Sequence, residues 1–192
     1  QASNHKVSPA HTDAFAYGDR YPDYMLLSCV QESAKGGESV LIDGYRIEQY
    51  LQTHPDFSWA GHALADVVID QTEDNMQAAL SPIIMSNGHG RKMVRKTLNQ
   101  KPSPTSTDSE RDARMIALWC DTINAAYEVA PRFKLRVGQT LVVDNYRLMH
   151  GRDPYEDLQR MLWRVWVWTT DALGVPDLPL ASDTRHAAAS QN

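Results

Sequence analysis

The stretch RMLWRVWVWTT, residues 160–170, is the densest run of β-branched and aromatic residues in the chain, and its reading decides the fold. Val and Trp favour a pleated, packed surface, so the run is expected to be a strand. Successive side chains of a strand alternate between faces. Arg160, Leu162, Arg164, Trp166 and Trp168 take one face; Met161, Trp163, Val165 and Val167 take the other. Both faces are apolar enough to predict a central strand. Trp166 and Trp168 read as core. Two guanidiniums on such a face are costly unless each meets a carboxylate. That carboxylate can belong to the protein or to a ligand, and the planar fork of arginine suits either.

Working outward, GQTLVVDN (138–145) and YRLMHG (146–151) read as strands around a turn, with His150 closing the second and facing a loop. DYMLLSCV (23–30) is a buried strand and ESVLIDG (38–44) another, joined by the turn AKGG (34–37). YRIEQYLQ (45–52) has helical spacing, and THPDF ends it. ADVVIDQ (65–71) is a strand candidate, with His62 at the start of that region. SPIIMS (81–86) and RKMVRKTL (91–98) form a hairpin over the turn NGHG. NQKPSPTSTDSE (99–110) is polar with two prolines, a candidate mobile loop or lid. Thr107 and Glu110 offer a capping box for a helix that carries Met115, Ile116, Trp119, Ile123, Ala126 and Tyr127 on one face and stops at Pro131. Many short strands with one substantial helix predict a mainly β fold with supporting helices, a sandwich or barrel in one domain over 1–175. Residues 176–192 read as a disordered tail.

Composition removes several function classes. The net charge is −5 over 192 residues, and the only basic block is RKMVRK (91–96), so nucleic acid is not an expected partner. No apolar run approaches the roughly 18 residues of a membrane span. Cys29 and Cys120 sit in apolar segments without a Cys-x-x-Cys, which predicts reduced thiols and a cytoplasmic protein. No secretory signal is visible, but the start, QASNHKVSPAH, lacks Met and reads as the interior of a longer protein whose N-terminal part is missing here.

Seven histidines and 24 acidic residues make about one His-x-acid triplet expected by chance, and the chain has two. His54-Pro55-Asp56 has a proline at its centre after a helix and reads as a turn. His11-Thr12-Asp13 has a β-branched centre and suits a strand end, where residues two apart share a face and can grip one ion. Among the other histidines, His150 is best placed to be a third ligand. Two histidines and a carboxylate with open positions opposite make a non-heme Fe(II) facial triad, although zinc takes a similar set.

The blocks HTD (11–13), GGESVLIDG (36–44), VDNYRLMHGRDPY (143–155) and RMLWR (160–164), in that order, resemble the Fe(II)/2-oxoglutarate dioxygenases of the taurine dioxygenase and γ-butyrobetaine hydroxylase family, from His11 to about Thr170. The resemblance implies a double-stranded β-helix, or jelly-roll, cupin-like core, with Fe(II) on His11, Asp13 and His150. It implies that Arg160 and the Ser39 hydroxyl hold the distal carboxylate of 2-oxoglutarate, with Arg164 in support. Phe15, Tyr17 and Arg95 are then the candidate substrate contacts; the plain alternatives are packing for the aromatics and a solvated charge for Arg95. The implied reaction couples oxidative decarboxylation of 2-oxoglutarate by O2 to hydroxylation or desaturation of a small polar or anionic metabolite, and a carboxylate at position 13 argues against halogenation. A non-catalytic metal- and 2-oxoglutarate-binding jelly-roll module is the rival reading, followed by a zinc hydrolase on a cupin-like barrel. A homodimer stays open.

Overall fold

The computed structural model describes residues 6–73, 78–157 and 159–176, without the side chains of residues 15 and 16. In chain order its elements are β1 (Ser8–His11), a 3-10 helix (Phe15–Arg20), β2 (Tyr24–Gln31), β3 (Ser39–Asp43), α1 (Gly44–Thr53), α2 (Ser58–Asp66), β4 (Ile69–Asp70), β5 (Leu80–Ser81), β6 (Ile84–Ser86), β7 (Lys92–Val94), β8 (Lys101–Pro102), α3 (Ser109–Val129), β9 (Thr140–Asp144), β10 (Leu148–Arg152) and β11 (Met161–Val167). Most elements are strands, as expected. The tail beyond Pro176 lies outside the described residues.

Two three-stranded antiparallel sheets position the site, in the orders β1-β10-β3 and β11-β2-β9. In the first, the two-residue period sorts β3 and β10 cleanly. Val40, Ile42 and Met149 point to the helices and are fully buried with Leu51, Leu64, Met115, Trp119 and Ile123. Ser39, Leu41 and His150 take the opposite side, since Leu41 pairs with His150 and Ser39 with Arg152. Gly151 allows α3 to close on this sheet: a Cβ there would lie 2.7 Å from the Tyr127 ring and 2.8 Å from the Ser8 carbonyl. Helix α1 starts where the Asp43 side chain accepts from the amides of Tyr45 and Arg46.

In the second sheet, Leu162, Arg164 and Trp166 share a face with Cys29, Leu27 and Met25 across β2. The other face of β11 is bare: Met161, Trp163 and Val165 are 45%, 64% and 50% exposed. Among the described residues β11 is an edge strand, not the central strand that its sequence suggested. Apolar residues on both faces record what could be buried, not how many neighbours a strand has.

Three further expectations change. ADVVIDQ is not one strand: Ala65 and Asp66 close α2, which also carries His62, and only Ile69–Asp70 pairs as a strand. α2 was missed because SWAGHALAD has a weak apolar stripe and no capping side chain. The cap of α3 is Asp108, whose side chain accepts from the Arg111 amide, one residue beyond the expected Thr107. The 99–110 segment is not loop throughout, since Lys101–Pro102 pairs with β4, Ser103 is buried and Ser106 Oγ donates to Asp112 at 2.6 Å. The expected hairpin over NGHG forms, with Asn87 and Arg91 closing its turn, but only Ile84–Ser86 and Lys92–Val94 pair in it, and Ser81 pairs with Ile69 instead.

The contrast between two tryptophans is testable. Trp119 is 0% exposed and Trp163 is 64% exposed. Trp119→Ala is expected to cost about 3–5 kcal/mol in urea unfolding, and Trp163→Ala less than about 0.5 kcal/mol.

Candidate metal centre

The antiparallel pairing of β1 with β10 sets His11 directly opposite His150, so both imidazoles leave the same face of the sheet. Their ring centroids are 4.4 Å apart. Immediately after β1 the chain turns at Asp13, followed by Ala14 with φ +62°. This returns the carboxylate toward the rings. Asp13 Oδ1 lies 3.6 Å from His11 Nε2 and 3.7 Å from His150 Nε2. One ligating atom from each of the three residues falls within 4.8 Å of the others, the one such metal-ready cluster among the described residues. His54, the rejected alternative, stacks on Phe57 at 4.2 Å.

Each donor is prepared by its surroundings. His11 Nδ1 lies 2.8 Å from the Pro9 carbonyl, which calls for a proton on Nδ1 and leaves Nε2 as the lone-pair nitrogen facing Asp13. Burial, joined by the charge of His11, pushes His150 down to about 3, so it is a neutral imidazole at physiological pH. Burial pushes the Asp13 carboxyl up, but its polar neighbours, the Arg164 guanidinium among them, outweigh this and hold it well below the usual carboxylate range. Imidazole nitrogens with a lone pair and an ionised carboxylate are the donor set that a divalent first-row metal requires.

Asn145 clamps the turn. It accepts from the Asp13 amide at 2.9 Å and donates to the carbonyls of Asp13 at 3.2 Å and Pro22 at 2.9 Å. Two side chains from β11 then reach the carboxylate: Arg164 Nη1 is 3.1 Å from Oδ1, and Trp166 Nε1 is 2.8 Å from Oδ2. Arg164 thus meets a protein carboxylate. Arg160 does not: no described carboxylate lies within ion-pair distance of it. Its Nη2 is 3.5 Å from the Gly37 carbonyl and its guanidinium lies 4.9 Å from the centre of the Tyr155 ring. Burial lowers its pKa. Arg160 lines a small cavity with Ser39, Gly37, Cys29 and Leu162. Gly37 sits at φ +78°, and a Cβ there would approach Arg160 Nε to 3.0 Å, so glycine makes room for the guanidinium.

The remaining candidates are less central. The Tyr17 ring packs edge-on against Trp166 and Trp168, at 5.8 and 5.7 Å. Arg95 is 1% exposed and 3.9 Å from Asp19 on the 3-10 helix, so it is not a solvated charge. The whole basic block is internally engaged: Arg91 pairs with Asp23 and Asp144, and Lys92 with Glu48. The Phe15 side chain lies outside the described residues. Asn145 and Tyr155 were not singled out in the sequence, although both stand inside the block VDNYRLMHGRDPY. Trp166 was read as core; its even spacing from Arg164 was the available signal. Among the described residues no helix is long and apolar enough to cross a membrane.

Two histidines set opposite each other with their rings tilted by 46°, and a buried carboxylate beside them, define a class: proteins with a two-histidine, one-carboxylate cluster. The chain belongs to the taurine catabolism dioxygenase TauD, TfdA family, whose model matches residues 1–166. It is 29% identical over 145 residues to the gamma-butyrobetaine dioxygenase of Homo sapiens, a match covering 70% of this chain and 37% of that protein. Its fold is that of an asparagine oxygenase solved with Fe(II), 2S,3S-3-hydroxyasparagine and succinate (TM-score 0.67, 20% identity, 86% of this chain and 51% of the other). It is likewise that of a taurine dioxygenase from Burkholderia xenovorans (TM-score 0.64, 19% identity, 91% and 60%). The chain therefore spans about a third to three-fifths of the length of these relatives.

Asn145→Ala would orphan the buried Asp13 amide and two carbonyl contacts. The expected loss is about 2–3 kcal/mol of stability, read as a lower Tm, together with weaker metal binding by calorimetry.

Proposed function

We propose that the two sheets are the halves of a double-stranded β-helix and that the chain carries the catalytic centre of an Fe(II)/2-oxoglutarate-dependent dioxygenase. The observation that carries this reading is the convergence of His11, Asp13 and His150 from two distant parts of the chain onto one point. The residues fit the metal: His150 is a buried neutral imidazole, Asp13 a buried anion, and ligating atoms of both converge with one of His11.

His11, Asp13 and His150 would hold Fe(II). With 2-oxoglutarate and O2, that ion supplies the oxidising power for C–H hydroxylation or desaturation, at the cost of the oxo-acid's carboxylate as CO2. Arg160 binds the far carboxylate of 2-oxoglutarate, because its charge is half-buried and no described carboxylate neutralises it. The Ser39 hydroxyl, in the same cavity, adds a second donor. Cys29 and Leu162 line that cavity together with the polar Glu32, Ser33 and Lys134. Arg164 balances the charge of Asp13. The protein's contribution is positioning and dryness rather than proton transfer. The substrate is a small polar or anionic metabolite, with Phe15, Tyr17 and Arg95 as candidate contacts.

With Fe(II), 2-oxoglutarate and the right small molecule, the purified protein is expected to form succinate only in the presence of O2. His11→Ala, Asp13→Ala and His150→Ala each abolish this, and His54→Ala leaves it intact. Full turnover by Asp13→Ala would remove the assignment. Arg160→Met is expected to weaken 2-oxoglutarate binding to the Mn(II)-loaded protein by about 10- to 100-fold in calorimetry, the worth of a charge-assisted hydrogen bond. Binding of 2-oxoglutarate without turnover over a broad substrate panel would favour the non-catalytic module, and O2-independent hydrolysis with zinc the hydrolase.

A further inference from the structure

The two oxygens of the Asp13 carboxylate have different surroundings. Oδ1 faces His11 Nε2 at 3.6 Å, His150 Nε2 at 3.7 Å and Arg164 Nη1 at 3.1 Å. Oδ2 accepts from the indole Nε1–H of Trp166 at 2.8 Å. An indole nitrogen is a donor only, so this contact has one polarity and Oδ2 is its acceptor.

The indole is itself held in place. Tyr17 meets its ring edge-on at 5.8 Å and 89°. The Arg164 guanidinium lies over it at 4.9 Å. Tyr17 is in turn packed against Trp168, whose Nε1 donates to the Arg20 carbonyl at 2.8 Å. The donor therefore sits on a braced element, β11, in the sheet opposite the one that carries the two histidines.

A carboxylate is free to turn about its Cβ–Cγ bond, and a metal nearby accepts one oxygen or both. Rotation that brought both oxygens to the ion would fill a coordination position that an incoming chelating ligand needs. We propose that Trp166 is a positioning residue: its N–H pins Oδ2 and so presents Asp13 to the metal through Oδ1 alone. This rests on the metal assignment above. It gives Trp166 a role that neither the triad nor the arginine pattern contains, since an indole at this place is needed for its hydrogen atom as well as for its bulk. Partners that orient a metal ligand through a hydrogen bond are typically worth 10–100-fold in metal affinity.

The experiment compares wild type, Trp166→Phe, Trp166→Gln and Asp13→Ala in the metal-free protein titrated with Co(II), following calorimetry and the visible spectrum, with Tm measured on the same samples. Trp166→Phe keeps the ring and removes the donor. It is expected to bind Co(II) about 10- to 100-fold more weakly and with an altered visible spectrum, while the Tm of the metal-free protein stays close to wild type. Trp166→Gln returns an N–H and recovers much of the affinity. Unchanged affinity and spectrum in Trp166→Phe, or a loss that merely tracks a fall in Tm, overturns the inference. If Asp13→Ala loses Co(II) while Trp166→Phe does not, only this inference falls; if Asp13→Ala keeps its affinity, the metal assignment falls with it. A measurement on the wild type alone covers the case in which Trp166→Phe does not fold: the Trp166 indole N–H resonance is expected to shift on addition of Zn(II), and its indifference to the metal counts against the role.

Discussion

The pairing of β1 with β10 is the constraint on which the site depends. Opposite partners in an antiparallel ladder share a face, so the register that matches His11 with His150 brings two imidazoles together without any special loop. A slip of one residue would turn one ring toward the helices, where Met149 and Val40 now lie fully buried. The packing of α3 therefore defends the register: the apolar residues on the back of the sheet cannot trade places with the polar ones on its front. Gly151 belongs to the same device, since any side chain there would collide with Tyr127.

Charge organises the rest. Asp13 is almost wholly buried, and a buried carboxylate is tolerated only when its oxygens are engaged. Here it faces two imidazoles, a guanidinium and an indole, and the Asn145 side chain fixes its backbone. The two arginines of β11 and its approach differ in this respect. Arg164 spends its charge inside the protein, on Asp13, whereas no described carboxylate pairs with Arg160, which lies beside the Gly37 carbonyl and the Tyr155 ring. Four positions separate them in sequence, and the division of labour between them is visible only in three dimensions.

Much of this was legible from residue order because β structure writes itself in a two-residue code. Asp13 beside His11, Arg164 beside Arg160, and the glycines before Ser39 all follow from alternation or from turn chemistry. What was not legible has physical reasons. Helix α2 lacks a capping side chain and a strong stripe, so nothing local announces it. The edge position of β11 depends on which strands choose to pair, and apolar composition does not record that. Trp166 looked like core because hydrophobic bulk and hydrogen-bond donation coexist in one side chain, and only the partner tells which is being used.

The residues that meet at Asp13 are drawn from opposite ends of the chain: Arg164 and Trp166 lie 151 and 153 positions from it. Contacts of such long range are made late and slowly, because a large loop must close before they repay its entropy. A chain emerging from the ribosome carries His11 and Asp13 long before His150 exists. On the proposed metal assignment, capture of the cation is deferred until translation has passed residue 150, and a ribosome that stalls earlier yields a polypeptide with an incomplete claw.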